Sequence, residues 1–247
     1  FGYNTDNIVY DQSGYENPLN LRILSPSAVS WSPNHQLELL SSTALVSMEP
    51  AKKITNAIKR TSEVTVECWL SPVETDFPSK SRIVSLSNND NEIGFVLDQD
   101  LSENVNSKAL EYSIRMQTQS TNPSGFPEFI PDRSLNYLSL VHLSYVRDSL
   151  GHEYIYLNGE KSSEGFRPSN LDNWNENFYL RLGNESDLNH PWKGSYYAVA
   201  IYNQALTQYQ IRNNFSAGPR DSLKNDGIEY EVNLYLQMMP QSSGSPL

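Results

Sequence analysis

Apolar and polar residues alternate with a period of two along much of the chain, the spacing that puts successive side chains on opposite faces of a strand. In "SEVTVECWL" (62–70), Val64, Val66, Cys68 and Leu70 share one parity, while Thr65, Glu67 and Trp69 share the other. In "LEYSIRMQT" (110–118), Tyr112, Ile114 and Met116 oppose Glu111, Ser113, Arg115 and Gln117. "RIVSL" (82–86) and "IGFVL" (93–97) flank the polar run "SNNDNE", and "LNYLSLVHLSYV" (135–146) is long and mostly apolar, as a central strand of a sandwich should be. Two β-rich arms meet at Asn158-Gly159 in "HEYIYLNGEKSSEG", a pair suited to the positive φ angles of a type I′ hairpin turn. "FYLRLG" (178–183) and "SYYAVAIY" (195–202) add two more strands.

Helix signals are few. Thr207 and Gln210 have the spacing of a capping box, and Gly218-Pro219 carries stop chemistry. A second short helix is predicted in "PAKKITNAIK" (50–59), where Ile54 and Ile58 lie one turn apart. Many strands with so little helix between them predict an all-β fold: a two-sheet antiparallel β-sandwich or jelly roll with one or two short helices. This domain spans residues 1–219. A polar linker follows, and "IEYEVNLYLQM" (228–238) then alternates strictly, with Ile228, Tyr230, Val232, Leu234 and Leu236 on one face. It is either a last strand of the sandwich or the first strand of another module. "PQSSGSPL" reads as disordered linker, so 220–247 is a linker plus an extra edge strand and a tail.

A chain of 247 residues with 38% hydrophobic content suits one large all-β domain. Charged residues make up 19%, and no apolar run approaches the roughly 20 residues that span a bilayer. No signal peptide is visible at Phe1, which does not argue for the cytoplasm. The formal net charge of −11 repels phosphate backbones and disfavours nucleic acid as a partner. The lone cysteine, Cys68, forbids an internal disulfide and a Cys-rich zinc site, and its parity makes it a small core residue.

The order of several segments resembles a LamG-like, concanavalin A-like jelly roll of large bacterial secreted and surface proteins. The likeness rests on "VYDQSG" (9–14), "ALVSMEPAKKITNAIKRTSEVTVECWLSP" (44–72), "RIVSLSN" (82–88), "HLSYVRDSLGHEYIYLNGE" (142–160), "YLRLGNE" (179–185) and "HPWKGSYYAVAIYNQALTQYQIRNNFSAGP" (190–219). The resemblance implies an extracellular or cell-surface location. It leaves function open, because members of this fold bind sugars, proteins or lipids, or hydrolyse glycans, through grafted loops.

Hydrolysis by a retaining mechanism needs two carboxylates roughly 5 Å apart. The Glu-x-Asp-x-x-Glu pattern of laminarinase-type enzymes is matched by Glu74 and Asp76 but broken by Ser79, and Glu229 and Glu231 pair with no third carboxylate. His35, His142, His152 and His190 sit in unrelated contexts with no Gly-x-Ser-x-Gly elbow, and His142 reads as a hydrogen-bonded strand histidine. A structural calcium ion wants six to eight oxygens. "DQSGYEN" offers Asp11, Glu16 and Asn17, where the resemblance implies an ion, and "NNDNE" offers Asn88 to Glu92 but equally suits a polar hairpin turn. For ligands, Trp174 and Trp192 are candidate sugar-stacking rings, Arg115 a candidate polar contact, and "STNPSGFPEFIPDR" (120–133) a candidate rim. Each has a structural alternative: Trp192 before Gly194 can plug one end of the sandwich, Trp31 and Trp69 suit core or sheet-covering places, and Arg115 can pair with an acid. Asn184 and Asn214 head glycosylation tripeptides. The reading is a non-catalytic extracellular binding module with carbohydrate as the leading partner. A structural spacer or protein–protein adhesion domain is the alternative, and a glycan-degrading enzyme the least favoured.

Overall fold

The computed structural model of the chain describes residues 7–32, 36–73, 80–101, 110–131, 140–219 and 232–238. The N-terminal part holds β1 (Ile8–Val9), β2 (Leu21–Ile23), β3 (Val29–Ser32), β4 (Gln36–Leu39), β5 (Leu45–Ser47) and α1 (Lys52–Thr61). The centre holds β6 (Val64–Pro72), β7 (Ser81–Asn89), β8 (Glu92–Leu101), β9 (Leu110–Met116), β10 (Val141–Arg147), β11 (His152–Leu157) and β12 (Glu160–Phe166). Then come β13 (Tyr179–Leu182), β14 (Gly194–Tyr202), α2 (Gln208–Ala217) and β15 (Val232–Gln237).

The strands form two antiparallel sheets. One runs β1-β2-β5-β13-β7-β8-β9; the other runs β12-β11-β10-β6-β14-β4-β3, with β15 also paired to β14. The segment whose place was open in the sequence therefore belongs to this sandwich, its Leu234 opposite Ile201 and Leu236 opposite Val199. Positions 228–231 and 239–247 lie outside the described residues, as do Glu74, Asp76, Ser79 and His35.

Alternation decides what each face meets. Val64, Val66, Cys68 and Leu70 of β6 enter one core with Phe95 and Leu97 of β8, Tyr112, Ile114 and Met116 of β9, and Leu180 and Leu182 of β13. Burial pushes the Cys68 thiol up, so it stays protonated and inert. The opposite parity of β6 builds a second apolar cluster, in which Trp69, Val146, Tyr156 and Tyr202 lie under Leu206 and Ile211. Phe215 of α2 stacks on Trp69 with ring centroids 5.7 Å apart. The helix is held in that place by its predicted capping box: Gln210 N–H donates to Thr207 Oγ1 while Thr207 N–H donates to Gln210 Oε1. The Asn158-Gly159 turn has φ angles of 53° and 77°, as the type I′ reading requires. In α1, Ile54 and Ile58 are buried as their one-turn spacing predicts.

The outer face of the seven-stranded sheet is different. Ser85, Ser87, Asp98, Ser113, Arg115 and Arg181 point away from the core by parity, yet all are buried. Polar groups excluded from water must find partners or wait for them. That face holds the candidate site.

Candidate ligand-binding cleft

β7, β8 and β9 lie side by side, so their outward charged residues converge. Register places Arg82 opposite Asp98 and Val96 opposite Arg115, which puts Arg115 diagonal to Asp98. The β7–β8 hairpin tip brings Asp90 over the same spot. Arg82 Nη2 lies 2.7 Å from Asp90 Oδ1, and Arg115 Nη2 lies 2.9 Å from that same oxygen. Arg82 Nη1 reaches Glu185 Oε2 at 3.1 Å, where Ser87 also donates to Glu185 Oε1 at 2.9 Å. Arg181 Nη1 stands 3.4 Å from Glu185 Oε1.

The cleft above this network has a volume of about 230 Å³ and is lined by Lys80, Arg82, Asp90, Asn91, Asp98, Arg115, Ser124, Phe126 and His190. Its rim is the predicted loop, which doubles back so closely that a Cβ on Gly125 would lie 2.7 Å from Met116 N. Gly125 sits at φ 76°, a conformation that costs glycine nothing. Next to it, the Phe126 ring is 46% exposed and lies 5.1 Å from the Arg115 guanidinium. Arg115 Nη1 donates to the Ser124 carbonyl at 3.3 Å, tying the rim to the floor.

Asp98 is the exceptional member. Its side chain is 1% exposed, and neither carboxylate oxygen receives an aligned hydrogen bond. Arg82 Nε comes within 2.9 Å of Oδ1 but off the line of a hydrogen bond, and Arg115 Nη2 stands 3.6 Å from Oδ2. Burial raises the Asp98 carboxyl above its ordinary range against the pull of Arg82 and Arg115. Asp90 shifts the other way: the His190 imidazole beside it, then Arg115 and Arg82, hold it well below the usual carboxylate range despite partial burial. His190 is raised in turn, by Asp90 first and then by the Lys80 carbonyl, which is 3.0 Å from Nδ1.

The predicted ligand residues divide sharply. Arg115 lines the cleft and pairs with an acid, Asp90. Trp174 is 2% exposed and Trp192 0% exposed, and neither offers a ring face to a sugar. Trp174 Nε1 donates to the Gln117 carbonyl at 2.8 Å, and Trp192 Nε1 donates to Gln99 Oε1 at 2.9 Å. Both are interior rings with their N–H satisfied, so stacking on them is corrected to core packing. The exposed ring at the cleft, Phe126, lay unremarked inside the rim loop. Asp98 and Arg82 were hidden because an outward charge on a strand looks solvated until the covering loop is known.

Asp11 also has its partners. Oδ1 accepts from Ser13 N–H and Tyr235 N–H at 3.0 and 3.2 Å, and Oδ2 from Leu19 N–H at 2.9 Å and from the buried Lys53 ammonium. Burial alone would raise this carboxyl, but Lys53, Leu19 and Ser13 outweigh it and hold it low. The ammonium thus supplies the positive charge beside Asp11, and Asn17 is exposed on the rim of a neighbouring cleft with Glu16 and Glu49. This donor set does not fit an ion that needs six or more oxygens. Among the described residues no three His, Cys, Asp or Glu side chains are grouped to hold a metal.

His142 is a buried strand histidine that meets its polar neighbours through Nε2 alone, while its Nδ1 is buried without a hydrogen-bond partner among the described residues. Glu67 Oε1 and Ser144 Oγ both approach its Nε2, at 3.1 and 3.3 Å, and all three are sealed beneath α2. A catalytic triad needs the hydroxyl and the carboxylate on opposite ring nitrogens.

Two antiparallel sheets folded over one core, with short helices at the margins and a loop-rimmed cleft on one sheet, make the chain a jelly-roll domain of lectin-like build. Residues 49–212 match the family model described as the concanavalin A-like lectin/glucanases superfamily, of laminin G type, and the chain belongs to this family. No curated protein matches the sequence. Among solved structures, the fold is similar to domain 4 of AbnA, a GH43 extracellular arabinanase from Geobacillus stearothermophilus, solved with arabinotriose. The identity is 14%, the TM-score 0.50, and the match covers 83% of this chain and 85% of that one. It is also similar to botulinum neurotoxin type C, whose cell entry depends on two ganglioside molecules, at 12% identity and TM-score 0.53, covering 87% of this chain. The match spans 52% of that neurotoxin chain. Among the described residues no helix is long and apolar enough to cross a membrane.

Proposed function

We propose that the chain is a non-catalytic, extracellular carbohydrate-binding module that holds its glycan in the cleft between Asp98 and Phe126. The observation that carries this reading is the half-exposed Phe126 ring standing over a floor of buried polar side chains. A sugar has an apolar C–H face and a polar rim of hydroxyls. The ring takes the first, and Asn91, Ser124 and His190 take the second. The arabinotriose complex of the AbnA domain and the ganglioside dependence of the neurotoxin support a glycan as the ligand class. Each contact is worth about 1 kcal/mol, so a single module binds weakly and gains strength when repeated in a larger assembly.

A glycan array followed by titration calorimetry tests this. Phe126→Ala is expected to weaken binding about tenfold or more while leaving the melting temperature almost unchanged. A blank array would overturn the glycan reading in favour of a spacer or protein–protein adhesion role.

One observation favours a second reading, glycan hydrolysis. Asp90 and Asp98 both face Arg115 Nη2, at 2.9 and 3.6 Å, and their environments push their protonation in opposite directions. Such a split marks acid and base partners in glycosidases. Against it, the guanidiniums that hold Asp90 ionised also blunt it as a nucleophile, and Asp98 is walled in behind them. Reducing-end release from laminarin, agar or alginate that vanishes in Asp90→Asn would establish the enzyme.

A further inference from the structure

Resting on the carbohydrate reading, we infer that the module takes an extended oligosaccharide rather than a single terminal sugar, held in two clefts on either side of one loop.

The second cleft has a volume of about 370 Å³ and lies between the rim loop and the last residues of β12. It begins where the first one stops. Phe126 lines the first cleft, and Pro127, the next residue, lines the second. Lys80 of the first is ion-paired with Glu128 of the second, so the two clefts share this segment as a wall. At about 230 Å³ the first cleft falls short of the roughly 300 Å³ at which clefts begin to bury a small ligand. A glycan seated there overhangs its margin, and across Pro127 lies the second cleft.

The chemistry repeats on the far side of the wall. The Phe166 ring is 62% exposed, and His152 braces it with ring centroids 5.0 Å apart. Pro127, Phe129 and Pro168 stand in the same cleft, so Phe166 belongs to an apolar surface and is not an isolated exposed ring. Ser120, Glu128 and Arg167 supply the polar side, and each is exposed or half-buried. Glu153, buried beneath, faces Arg167 Nη2 at 3.5 Å and holds the guanidinium in place. Each cleft therefore offers an exposed ring beside polar groups, the pairing that suits a sugar.

The shared wall is fixed from several directions. Phe129 exchanges both backbone hydrogen bonds with Ile114, each at 2.8 Å, on the outer edge of β9. Arg115 Nη1 donates to the Ser124 carbonyl from one side. From the other, Arg167 Nη1 donates to the Met116 and Gly125 carbonyls at 3.3 and 3.5 Å. A Cβ on Gly165 would lie 3.1 Å from the Phe129 ring, so the loop seats closely on β12. The two exposed rings are thus set in place beforehand, and a chain long enough to reach both pays little to order them.

Calorimetry on the intact chain with arabino-, xylo- and laminari-oligosaccharides, from disaccharide to hexasaccharide, tests this. At least one series is expected to bind, its hexasaccharide about tenfold tighter than its disaccharide or more. Phe166→Ala is expected to weaken that hexasaccharide about fivefold and to flatten the length dependence, with the melting temperature almost unchanged. Equal affinity at every length, or full hexasaccharide binding in Phe166→Ala, would overturn the two-cleft inference. The carbohydrate reading would then stand on the loss of binding in Phe126→Ala. Failure of every probe at every length would overturn both.

Discussion

Arg115 and Asp90 are 25 residues apart in the chain and meet with Nη2 2.9 Å from Oδ1, over the outer face of a sheet whose other face is the hydrophobic core. The contact joins the third strand of the set to the hairpin tip of the first two. It also gives the cleft one wall. Arg82, fully buried beneath it, ties the same hairpin to Glu185 in the loop before β14.

Arg82 is therefore expected to matter for stability more than any exposed cation. Arg82→Leu leaves Asp98 and Glu185 buried without their main counter-charge, and breaking such a network typically costs about 3–5 kcal/mol. Urea denaturation checks this. A change below about 1 kcal/mol would mean the carboxylates find water instead.

The two buried tryptophans and the exposed phenylalanine should behave oppositely. Trp174→Ala empties a large packed volume and is expected to cost about 3–5 kcal/mol. Phe126→Ala, at a half-exposed ring, is expected to change stability by less than about 1 kcal/mol while binding falls. Thermal melts run beside glycan titrations separate the two roles.

His190 gives the pH dependence its sign. Its folded pKa lies above the ordinary value of 6.5, so it binds a proton more tightly folded than unfolded. That contribution is fully present below about pH 6.5 and fades as pH rises through the raised folded value. His190→Asn should thus cost stability at pH 5.5 and nothing at pH 9. A variant equally destabilised at both would place the effect in packing rather than charge.

At Asp11, the Lys53 ammonium supplies the positive charge. A chelator is accordingly expected to leave the melting temperature unchanged, since an ion bound only by the folded state would raise it. A downward shift on adding EDTA would put an ion back into that region.

The two glycosylation tripeptides are expected to stay bare. Asn184 and Asn214 are fully buried, Asn184 Nδ2 donating to Ser42 Oγ at 3.1 Å and Asn214 Nδ2 to Glu67 Oε2 at 2.8 Å. A glycan on either nitrogen would have to break into the interior. Intact-mass analysis of the chain secreted from a eukaryotic host checks it, and a glycan mass at either position would contradict the packing.

Local patterns alone determined much of this molecule. Period-two parity assigned Cys68 to the core and Trp69 to the opposite face, Asn158-Gly159 announced its turn, and Thr207 with Gln210 announced a helix start, because each depends only on neighbours in sequence. The short strands near the N-terminus had no such pattern; β1, β2 and β5 are two or three residues long and exist only because partner strands complete their hydrogen bonds. Of the residues that line the candidate cleft, Arg115 was singled out by the sequence. Which rings face water, which acids meet which guanidiniums, and whether Lys53 or a metal answers Asp11 are long-range matters. They depend on strand register and on a loop folding back over a sheet, and only the tertiary structure brings those groups within reach of one another.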